Sequence, residues 1–591
     1  MNIKSACSLD CYDACSIILQ EGKIKPDSQH ELTQNFLCSH LNHFNDYETI
    51  QSPRYKGKSI NLSEALEILV EKLSSTTPSK TLHYRGSGNV GLMQEVSDHF
   101  FASHGATLTD GSLCDGAGQA AITDGRGYNH ALAPQEIAKS DVVIVWGRNL
   151  HTTHSHLLPY IKDKTVICID PVKTKTAQMA DLHIQLKPRG DFFLALLLSR
   201  FAFINDIADE NFLEEYASEY DDFYDLTQTI RIKAILEKID VSLGVIGKVL
   251  EIVKEKKVTI LIGAGVQKYQ DGYDVVRAID SFGAVLGLHT KEGCGVNFLG
   301  DSKQGIKSEH DAIFNTKTKR ISKVDTEFSN FDIVFVQGAN IVNQMPDTKR
   351  VKNELGNVET LVYFGLYENE TSAIADLVIP AKNFLQKNDI RLSYSSDDFI
   401  KMNILDQDGA INNNTISEYN LTKTLCNALN IKLEDEESYI GKFMELSNNG
   451  SKVKNREQPP YKDGFTTDDE EFCFLEEIDI IKEAIEIETE KFYLITPKSA
   501  KSLNSQFKKE SSIYLNSNVI QSRNFKVNKM IKVLTPSGEA ILKLEINNTL
   551  RDDCVLIYSG TSGVNNLTSS KISFDGNSAV YQEHTVILVQ N

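Results

Sequence analysis

The chain has 591 residues, of which 41% are hydrophobic and 24% are charged, as in an ordinary soluble globular protein of several domains. Its formal net charge of −19 argues against nucleic acid or an anionic membrane surface as a partner. Because no run of about 18 apolar residues occurs, we expect no membrane-spanning helix. The N-terminal residues contain neither a twin-arginine pair nor an apolar signal region, so we expect a cytoplasmic location unless a leader has been removed.

Four cysteines near the N-terminus form the most specific motif of the chain. They are Cys7, Cys11, Cys15 and Cys38, with the spacing C-x3-C-x3-C-x22-C, in a chain that has only 10 cysteines. Three thiolates on one tight loop, joined by a fourth, suit a [4Fe-4S] cluster. Zinc sites usually have closely spaced cysteine pairs on both sides, and Cys38 has no near partner. We therefore predict an iron–sulfur segment over residues 1–54, with zinc or free thiols as the alternatives.

After this segment the sequence alternates between strand and helix patterns. Short β-branched runs predict buried parallel strands at 80–84, 141–146, 165–169, 258–262, 333–336 and 360–364. A glycine follows most of these runs closely, and helical periods such as 192–203 and 242–254 lie between them. Strand, glycine turn and helix in repetition are typical of a doubly wound α/β fold. We predict two Rossmann-like units within residues 55–445, one over about 55–330 in part and a second, about 331–430, joining it.

The last quarter of the chain changes character twice. Residues 446–487 are largely polar and contain Pro459 and Pro460, which predicts a linker. Residues 488–591 carry short strand patterns at 492–495, 531–534, 540–544 and 554–558, separated by turn residues. They predict a C-terminal β-barrel. The predicted architecture is therefore a multidomain α/β protein with an N-terminal cluster segment and a terminal barrel.

Several motifs, taken in chain order, carry a resemblance to a known family. They are Cys7-Ser8-Leu9-Asp10-Cys11-Tyr12-Asp13-Ala14-Cys15 with Cys38, Trp146-Gly147-Arg148-Asn149 with His156, Ile169-Asp170-Pro171 with Thr176, Glu370-Thr371 with Ala375-Asp376, Asn504-Ser505-Gln506 and Asn566-Leu567-Thr568. Over nearly its whole length the chain resembles the molybdopterin oxidoreductases of the dimethyl sulfoxide reductase type. The resemblance implies molybdenum or tungsten held by bis-molybdopterin guanine dinucleotide, a [4Fe-4S] cluster, and pterin-dinucleotide binding by both the body (55–445) and the barrel (488–591).

The resemblance and the glycine turns together predict the residues that bind the dinucleotides. Pyrophosphates need backbone N–H groups at strand ends, where glycine permits a close approach. The predicted contacts are Gly86, Gly88, Asn89, Gly147, Arg148, Asn149, Asp170, Asp191, Gly263, Gly265, Gln267, Gly338, Asn340, Asn504, Gln506 and Asn566. Asp170 could accept hydrogen bonds from ribose or guanine, or could cap a helix. Arg189, two residues before Asp191, could reach a phosphate.

Cys114, within Asp110–Gly118, lies where the family has its metal ligand, and its thiolate would be a soft donor to the metal. The alternative is a small buried hydrophobic residue. Formate dehydrogenases of the family typically have histidine after the ligand; Asp115 stands here instead and weighs against formate. Where the family usually has a lysine after the fourth cysteine, His40 is the candidate donor. We interpret His151, His154 and His156 as loop histidines near an anionic cofactor and not as a metal site.

These features predict an oxidoreductase that transfers electrons between a small-molecule substrate and a redox protein partner. Two alternatives stay open. One is a non-redox hydratase or transhydroxylase on the same scaffold. The other is an electron-transfer subunit without the metal, like the large subunit of respiratory complex I, although Cys114 between its glycines argues against this second alternative.

Overall fold

A computed structural model describes residues 3–218, 220–299, 307–393, 399–448, 459–476, 478, 485–507 and 510–590. The N-terminal segment is a three-stranded antiparallel sheet of Lys4–Ala6, Ser16–Gln20 and Lys23–Pro26. The loop with the first three cysteines connects its first two strands, and Cys7 N donates to Cys15 O at 2.9 Å. Across these described ranges, none of the helices combines the length and apolar composition needed to cross a bilayer.

A five-stranded parallel sheet forms the first Rossmann-like unit. Its strands lie in the order Leu182–Ile184, Thr165–Ile169, Val142–Trp146, Val258–Ile262 and Gly295–Phe298. The three central strands are almost wholly buried, as their β-branched runs predict. The longer helices of this unit are Gly116–Arg126, Asp191–Ile204, Glu210–Tyr216, Tyr220–Gln228, Ile232–Ile239, Leu243–Val253 and Gly272–Val285.

The helix Asp191–Ile204 is apolar on nearly all sides and is therefore buried. It packs against Gly272–Val285 and Leu243–Val253. The described part of the segment predicted as a linker also packs into this core, through the buried side chains of Tyr461, Phe465, Phe472, Phe474 and Leu475. Residues 459–476 are thus an arm fixed to the first unit. The segment as a whole is polar in composition, so its composition does not indicate these buried apolar side chains.

The second unit is an eight-stranded sheet assembled from two separate stretches of chain. Six parallel strands lie in the order Arg320–Ser322, Thr107–Asp110, Thr81–Arg85, Ile333–Gln337, Thr360–Gly365 and Leu377–Pro380, and the antiparallel hairpin Arg54–Tyr55 and Lys58–Ser59 extends one edge. Its longer helices are Leu62–Ser75, Val96–His104, Lys307–Phe314, Thr348–Leu355, Glu418–Ala428 and Glu436–Asn448. Apolar clusters cover both faces of the sheet. The first unit is thus inserted into the second, which confirms the predicted α/β class.

The C-terminal domain is a closed six-stranded barrel, as predicted. Its strands lie in the order Lys491–Ile495, Cys554–Ile557, Ser512–Leu515, Glu539–Ile546, Met530–Leu534 and Thr585–Val589, and the helix Ser517–Ser522 lies between two of them in the chain. Burial alternates along Glu539–Ile546, where Ala540, Leu542 and Leu544 point into the barrel.

Candidate active site

The first crevice of the site lies where the five-stranded sheet reverses its strand order. The chain moves outward in one direction from Val142–Trp146 and later returns to the opposite side of that strand with Val258–Ile262. Gly147 and Gly263 follow these two strands, and their backbones touch: a Cβ on Gly263 would lie 2.0 Å from Gly147 O. Ligands of open α/β sheets bind at such a reversal, beyond the carboxyl ends of the strands.

The eight-stranded sheet has the same arrangement at its own reversal, between Thr81–Arg85 and Ile333–Gln337. Gly86 and Gly338 follow these strands, and Gly88 N donates to Gly338 O at 2.8 Å. A Cβ on Gly86 would lie 2.8 Å from Gly338 O, and Gly338 has a φ of +58°. The molecule thus has two equivalent crevices, one in each sheet.

Both crevices and one end of the barrel open into a single cavity of about 610 Å³. Among the residues that the structure describes, eight lysine and arginine side chains line it, against four aspartate and glutamate side chains. The basic ones are Arg85, Arg148, Lys173, Lys175, Lys187, Lys268, Lys323 and Lys498. Because the chain as a whole has a charge of −19, this local excess of cations marks the cavity as suited to an anionic ligand.

Most of the predicted dinucleotide contacts line this cavity. They are Gly86, Gly88, Asn89, Gly147, Arg148, Asn149, Asp170, Asp191, Gly265, Gly338, Asn340, Asn504 and Gln506. Three others lie elsewhere: Gly263 supports the backbone of Gly147, Gln267 bonds the Cys114 loop, and Asn566 donates to Glu539 O at 3.3 Å. The neighbour of Asn566, Asn565, lines the cavity in its place.

Asp170 and Asp191 are adjacent acidic groups on the cavity wall. Burial raises the pKa of Asp170 to about 7, with a further contribution from Asp191. Burial likewise raises the pKa of Asp191 to about 6, although Trp146 Nε1 donates to its Oδ1 at 2.7 Å. Asp170 caps no helix; Val172 N donates to its Oδ1 at 2.8 Å, and Thr174 caps the following helix. Both acids therefore retain acceptor capacity toward a ligand.

Arg189 does not reach the cavity, contrary to the sequence-based expectation. It is buried, and its Nη2 donates to Asp271 while its Nη1 donates to Glu583, each at 3.2 Å. Its guanidinium also lies 4.4 Å from the centre of the Tyr269 ring. The charge of Arg189 is therefore paired inside the protein. Lys187, two residues earlier, lines the cavity instead.

Cys114 lies on the loop between Thr107–Asp110 and Gly116–Arg126, and its backbone is tightly held. Cys114 N donates to Ser112 Oγ at 3.0 Å, and Cys114 O accepts from Gln267 Nε2 at 2.8 Å and from Lys268 Nζ. Gln267 Oε1 also accepts from Gly118 N at 2.6 Å, so one amide joins the loop to the start of the helix. The residue itself is half-buried and lines the cavity.

The four N-terminal cysteines surround a second, adjoining cavity, also of about 610 Å³. Cys7 and Cys15 are buried, and Cys11 and Cys38 are half-buried. Burial, then the neighbouring Cys38, raises the pKa of Cys7 to about 12, and burial with nearby Asp13 raises the pKa of Cys11 and Cys15 as well. Four convergent soft donors that must lose their protons to bind fit an iron–sulfur cluster.

Cys114 and Lys498 line both cavities, whereas His40 lines only the one that contains the four cysteines. Burial opposes the charge on Lys498, but Cys114 and Asp10 outweigh it and raise the pKa of its ammonium group. Burial and the charge of Lys498 lower the pKa of His40. The cation at the junction of the cavities is therefore Lys498, which comes from the barrel.

Two of the three loop histidines contact Asp13, on the cysteine loop. His156 Nδ1 donates to Asp13 Oδ2 at 2.8 Å, and His154 Nε2 lies 2.8 Å from Asp13 Oδ1. His151 instead contacts Thr176 Oγ1 at 3.1 Å and lines the cavity onto which both crevices open. Ligand atoms of Asp13, Cys15 and His156 lie within 4.8 Å of one another and could in principle hold a metal ion. Since both oxygens of Asp13 already face imidazole nitrogens, a supporting role for the cysteine loop fits better.

Sequence reasoning missed Asp13, Lys268, Lys498 and also Arg391, whose buried guanidinium donates to Cys11 O at 2.8 Å. Their partners lie far away in the chain; for Arg391 the separation is 380 residues. The one available signal was the position of Asp13 inside the cysteine motif.

Comparisons with known proteins agree with this geometry. The family model described as molybdopterin oxidoreductase matches residues 62–396. The chain is 27% identical over 425 residues to the probable oxidoreductase YyaE of Bacillus subtilis (strain 168), covering 66% of this chain and 63% of that protein. It is 23% identical over 448 residues to the F420-dependent formate dehydrogenase subunit alpha of Methanocaldococcus jannaschii, covering 65% of this chain and 63% of that protein.

Among solved structures, acetylene hydratase from Pelobacter acetylenicus has the same fold, with a TM-score of 0.76 and 14% sequence identity over 100% of both chains. The aligned part of each curated relative is less than two thirds of that relative's length. The family match itself spans more than half of this chain and includes the strands of both crevices and the Cys114 loop. The chain belongs to the molybdopterin oxidoreductase family.

Proposed function

We propose that the protein is a bis-molybdopterin guanine dinucleotide oxidoreductase that exchanges electrons between a small-molecule substrate and a redox protein partner. A [4Fe-4S] cluster on Cys7, Cys11, Cys15 and Cys38 would connect the two. The observation that carries this proposal is the pair of equivalent glycine crevices facing one cation-lined cavity, with Cys114 where that cavity meets the cavity of the four cysteines.

Each part of the cofactor has matching residues in the cavities. The crevices at Gly147 and at Gly86 offer backbone N–H groups and space to two pyrophosphates. Asp170 and Asp191 can accept from ribose or guanine donors. Cys114 would be the protein ligand of molybdenum or tungsten, because its thiolate is a soft donor. When bound, the metal centre would supply two-electron redox chemistry and the cluster would carry single electrons.

The protein side chains near Cys114 would control charge and access. Lys268 is buried, donates to Cys114 O and lies 5.1 Å from the centre of the Tyr581 ring. Lys498 brings a second ammonium group to the same region. These cations would favour anionic or electron-rich groups at the metal. Asp115, at the start of the following helix, accepts a hydrogen bond from Ser112 Oγ. Formate dehydrogenases of the family typically have a histidine at this position, so these residues do not favour formate as the substrate.

A dye-linked screen on anaerobically purified protein tests the redox assignment. The enzyme should transfer electrons between at least one small-molecule substrate and a viologen or phenazine dye, and the iron–sulfur absorbance should change during turnover. Product formation by water addition without any dye reduction would support the hydratase alternative. Protein that contains the cluster but neither molybdenum nor tungsten would support the metal-free electron-transfer subunit.

A further inference from the structure

Asp13 is a buried carboxylate between the cysteine loop and the loop that follows Gly147, and this second loop lines both cavities. It lies on the cysteine loop, two residues from Cys11 and two from Cys15, and is only 2% exposed. Its two oxygens each lie 2.8 Å from an imidazole nitrogen, one of His154 and one of His156. Both histidines belong to the loop that follows the strand Val142–Trp146 of the first crevice.

The His156 side of this arrangement reaches the cysteines. Its Nδ1 lies 3.7 Å from Cys15 Sγ, and its Nε2 lies 3.1 Å from Phe36 O. The ring of Phe36 stacks on the imidazole with a centroid distance of 4.2 Å. The imidazole is thus fixed against the thiol of Cys15.

The His154 side reaches, through Arg148, the cavity onto which both crevices open. Arg148 Nη2 donates to His154 Nδ1 at 2.9 Å, which leaves the Nε2 proton of His154 facing Asp13. The guanidinium of Arg148 also lies 5.2 Å from the centre of the Tyr12 ring, and Arg148 lines the cavity directly after Gly147. The position of Arg148 in the first crevice therefore depends on His154.

We propose that Asp13 is a positioning residue that couples the two cofactor sites, holding Cys15 through His156 and the dinucleotide-binding Arg148 through His154. This inference rests on the proposed function for the identity of the two cofactors. Its basis in the structure is one continuous set of contacts, from Cys15 to Arg148, whose centre is a single carboxylate.

The chemistry of the side chain explains why an aspartate is needed here. A carboxylate offers two acceptor oxygens and can serve two N–H donors at once, whereas an amide offers one acceptor and one donor group. A buried charge is costly unless it is paired, and removal of one partner from a buried pair is strongly destabilising. Groups that orient metal ligands typically change metal affinity by about 10–100-fold when they are replaced.

Three substitutions separate the two sides of the contact set. His156→Leu should release iron to a chelator about tenfold faster than wild type while retaining its guanine nucleotide. His154→Leu should lose guanine nucleotide during gel filtration while releasing iron more slowly than His156→Leu does. Asp13→Asn should show both defects. Iron release is followed by the loss of iron–sulfur absorbance, and nucleotide is measured after acid release.

The matched control is Asp27→Asn. Asp27 is another buried carboxylate of the N-terminal segment, bonded to Ser16 Oγ at 3.0 Å and paired with Lys4, away from both histidines. The proposal is overturned if Asp13→Asn changes both readouts no more than Asp27→Asn does, or if His154→Leu releases iron as fast as His156→Leu. If Asp13→Asn does not fold, the contrast between the two histidine variants decides. Wild-type protein that lacks iron or guanine nucleotide would instead refute the proposed function.

Discussion

At the scale of single residues, Cys114 is held by its neighbours through the backbone. Ser112, Gln267 and Lys268 bond its peptide N–H and carbonyl, and its side chain lies where the two cavities meet. This arrangement fixes the position of the thiol without using the thiol itself. Such a residue suits metal ligation better than core packing.

Cys114→Ala should therefore abolish turnover with every active substrate and leave the cofactors largely in place. The glycine crevices and the four N-terminal cysteines do not depend on this thiol, so iron and guanine nucleotide contents should stay near wild type. The cost in stability should be small, about 1 kcal/mol. Cys114→Ser replaces the sulfur donor with a harder oxygen donor and should therefore give altered activity. Full activity of Cys114→Ala with an unchanged molybdenum or tungsten paramagnetic signal would assign Cys114 to packing and make Asp115 the next candidate ligand.

Lys498 should set the reduction potential of the cluster. A nearby cation stabilises the more negative, reduced form, so Lys498→Met should make the potential more negative. The control is Lys501→Met, since the Lys501 side chain is 58% exposed and its charge is screened by solvent. A redox titration followed by paramagnetic resonance measures both variants. Equal potentials for wild type and Lys498→Met would show that the charge of Lys498 does not act on the cluster.

Asp170 should make the cofactor-free protein less stable as the pH rises. Its folded pKa of about 7 lies above its ordinary value of 3.8, so the folded state keeps a proton that the unfolded state loses. The contribution of Asp170 to stability is therefore greatest below about pH 4 and is lost as the pH rises toward 7. Asp170→Asn retains the acceptor for Val172 N and does not titrate. The melting temperature of Asp170→Asn minus that of wild type should be about 1–2 °C larger at pH 8 than at pH 4.5. A difference that does not change with pH would contradict the raised pKa.

At the scale of elements, the crevices depend on glycine at strand ends. Gly263→Ala would place a methyl group 2.0 Å from Gly147 O and should push the two loops apart, with loss of bound dinucleotide. Gly247→Ala is the matched control, because no atom lies within 4 Å of its added methyl group on the exposed side of Leu243–Val253. It should stabilise that helix by about 0.5–1 kcal/mol. Retention of guanine nucleotide by both variants would show that the crevice tolerates the methyl group.

The elements also show how far local sequence reasoning reaches. The strands at 142–146 and 258–262 were predictable because a parallel strand buried on both faces needs a continuous apolar run. The crevices were predictable from the glycines that follow these strands in the chain. The arm at 459–476 was not predictable, since its aromatic anchors are spaced irregularly among polar residues. Asp13, Lys498 and Arg391 acquire their roles from contacts with residues that are more than 100 positions away.

At the scale of the whole molecule, three separate parts of the chain complete one site. The inserted first unit and the discontinuous second unit supply one crevice each, and the barrel closes the cavity and contributes Lys498. The N-terminal cysteine loop adjoins the same region, where Arg391 of the body bonds its backbone. This assembly explains why most of the predicted contacts line one cavity although they spread from Gly86 to Gln506 in the chain.

The stoichiometry of cofactors in one anaerobic sample tests the central claim most directly. Protein from a host that makes the pterin should contain, per chain, about four iron and four sulfide, about one molybdenum or tungsten, and about two guanine nucleotides after acid release. Two nucleotides per metal correspond to one dinucleotide in each crevice. Zinc in place of iron and sulfide, or guanine nucleotide well below one equivalent without molybdenum or tungsten, would contradict the account.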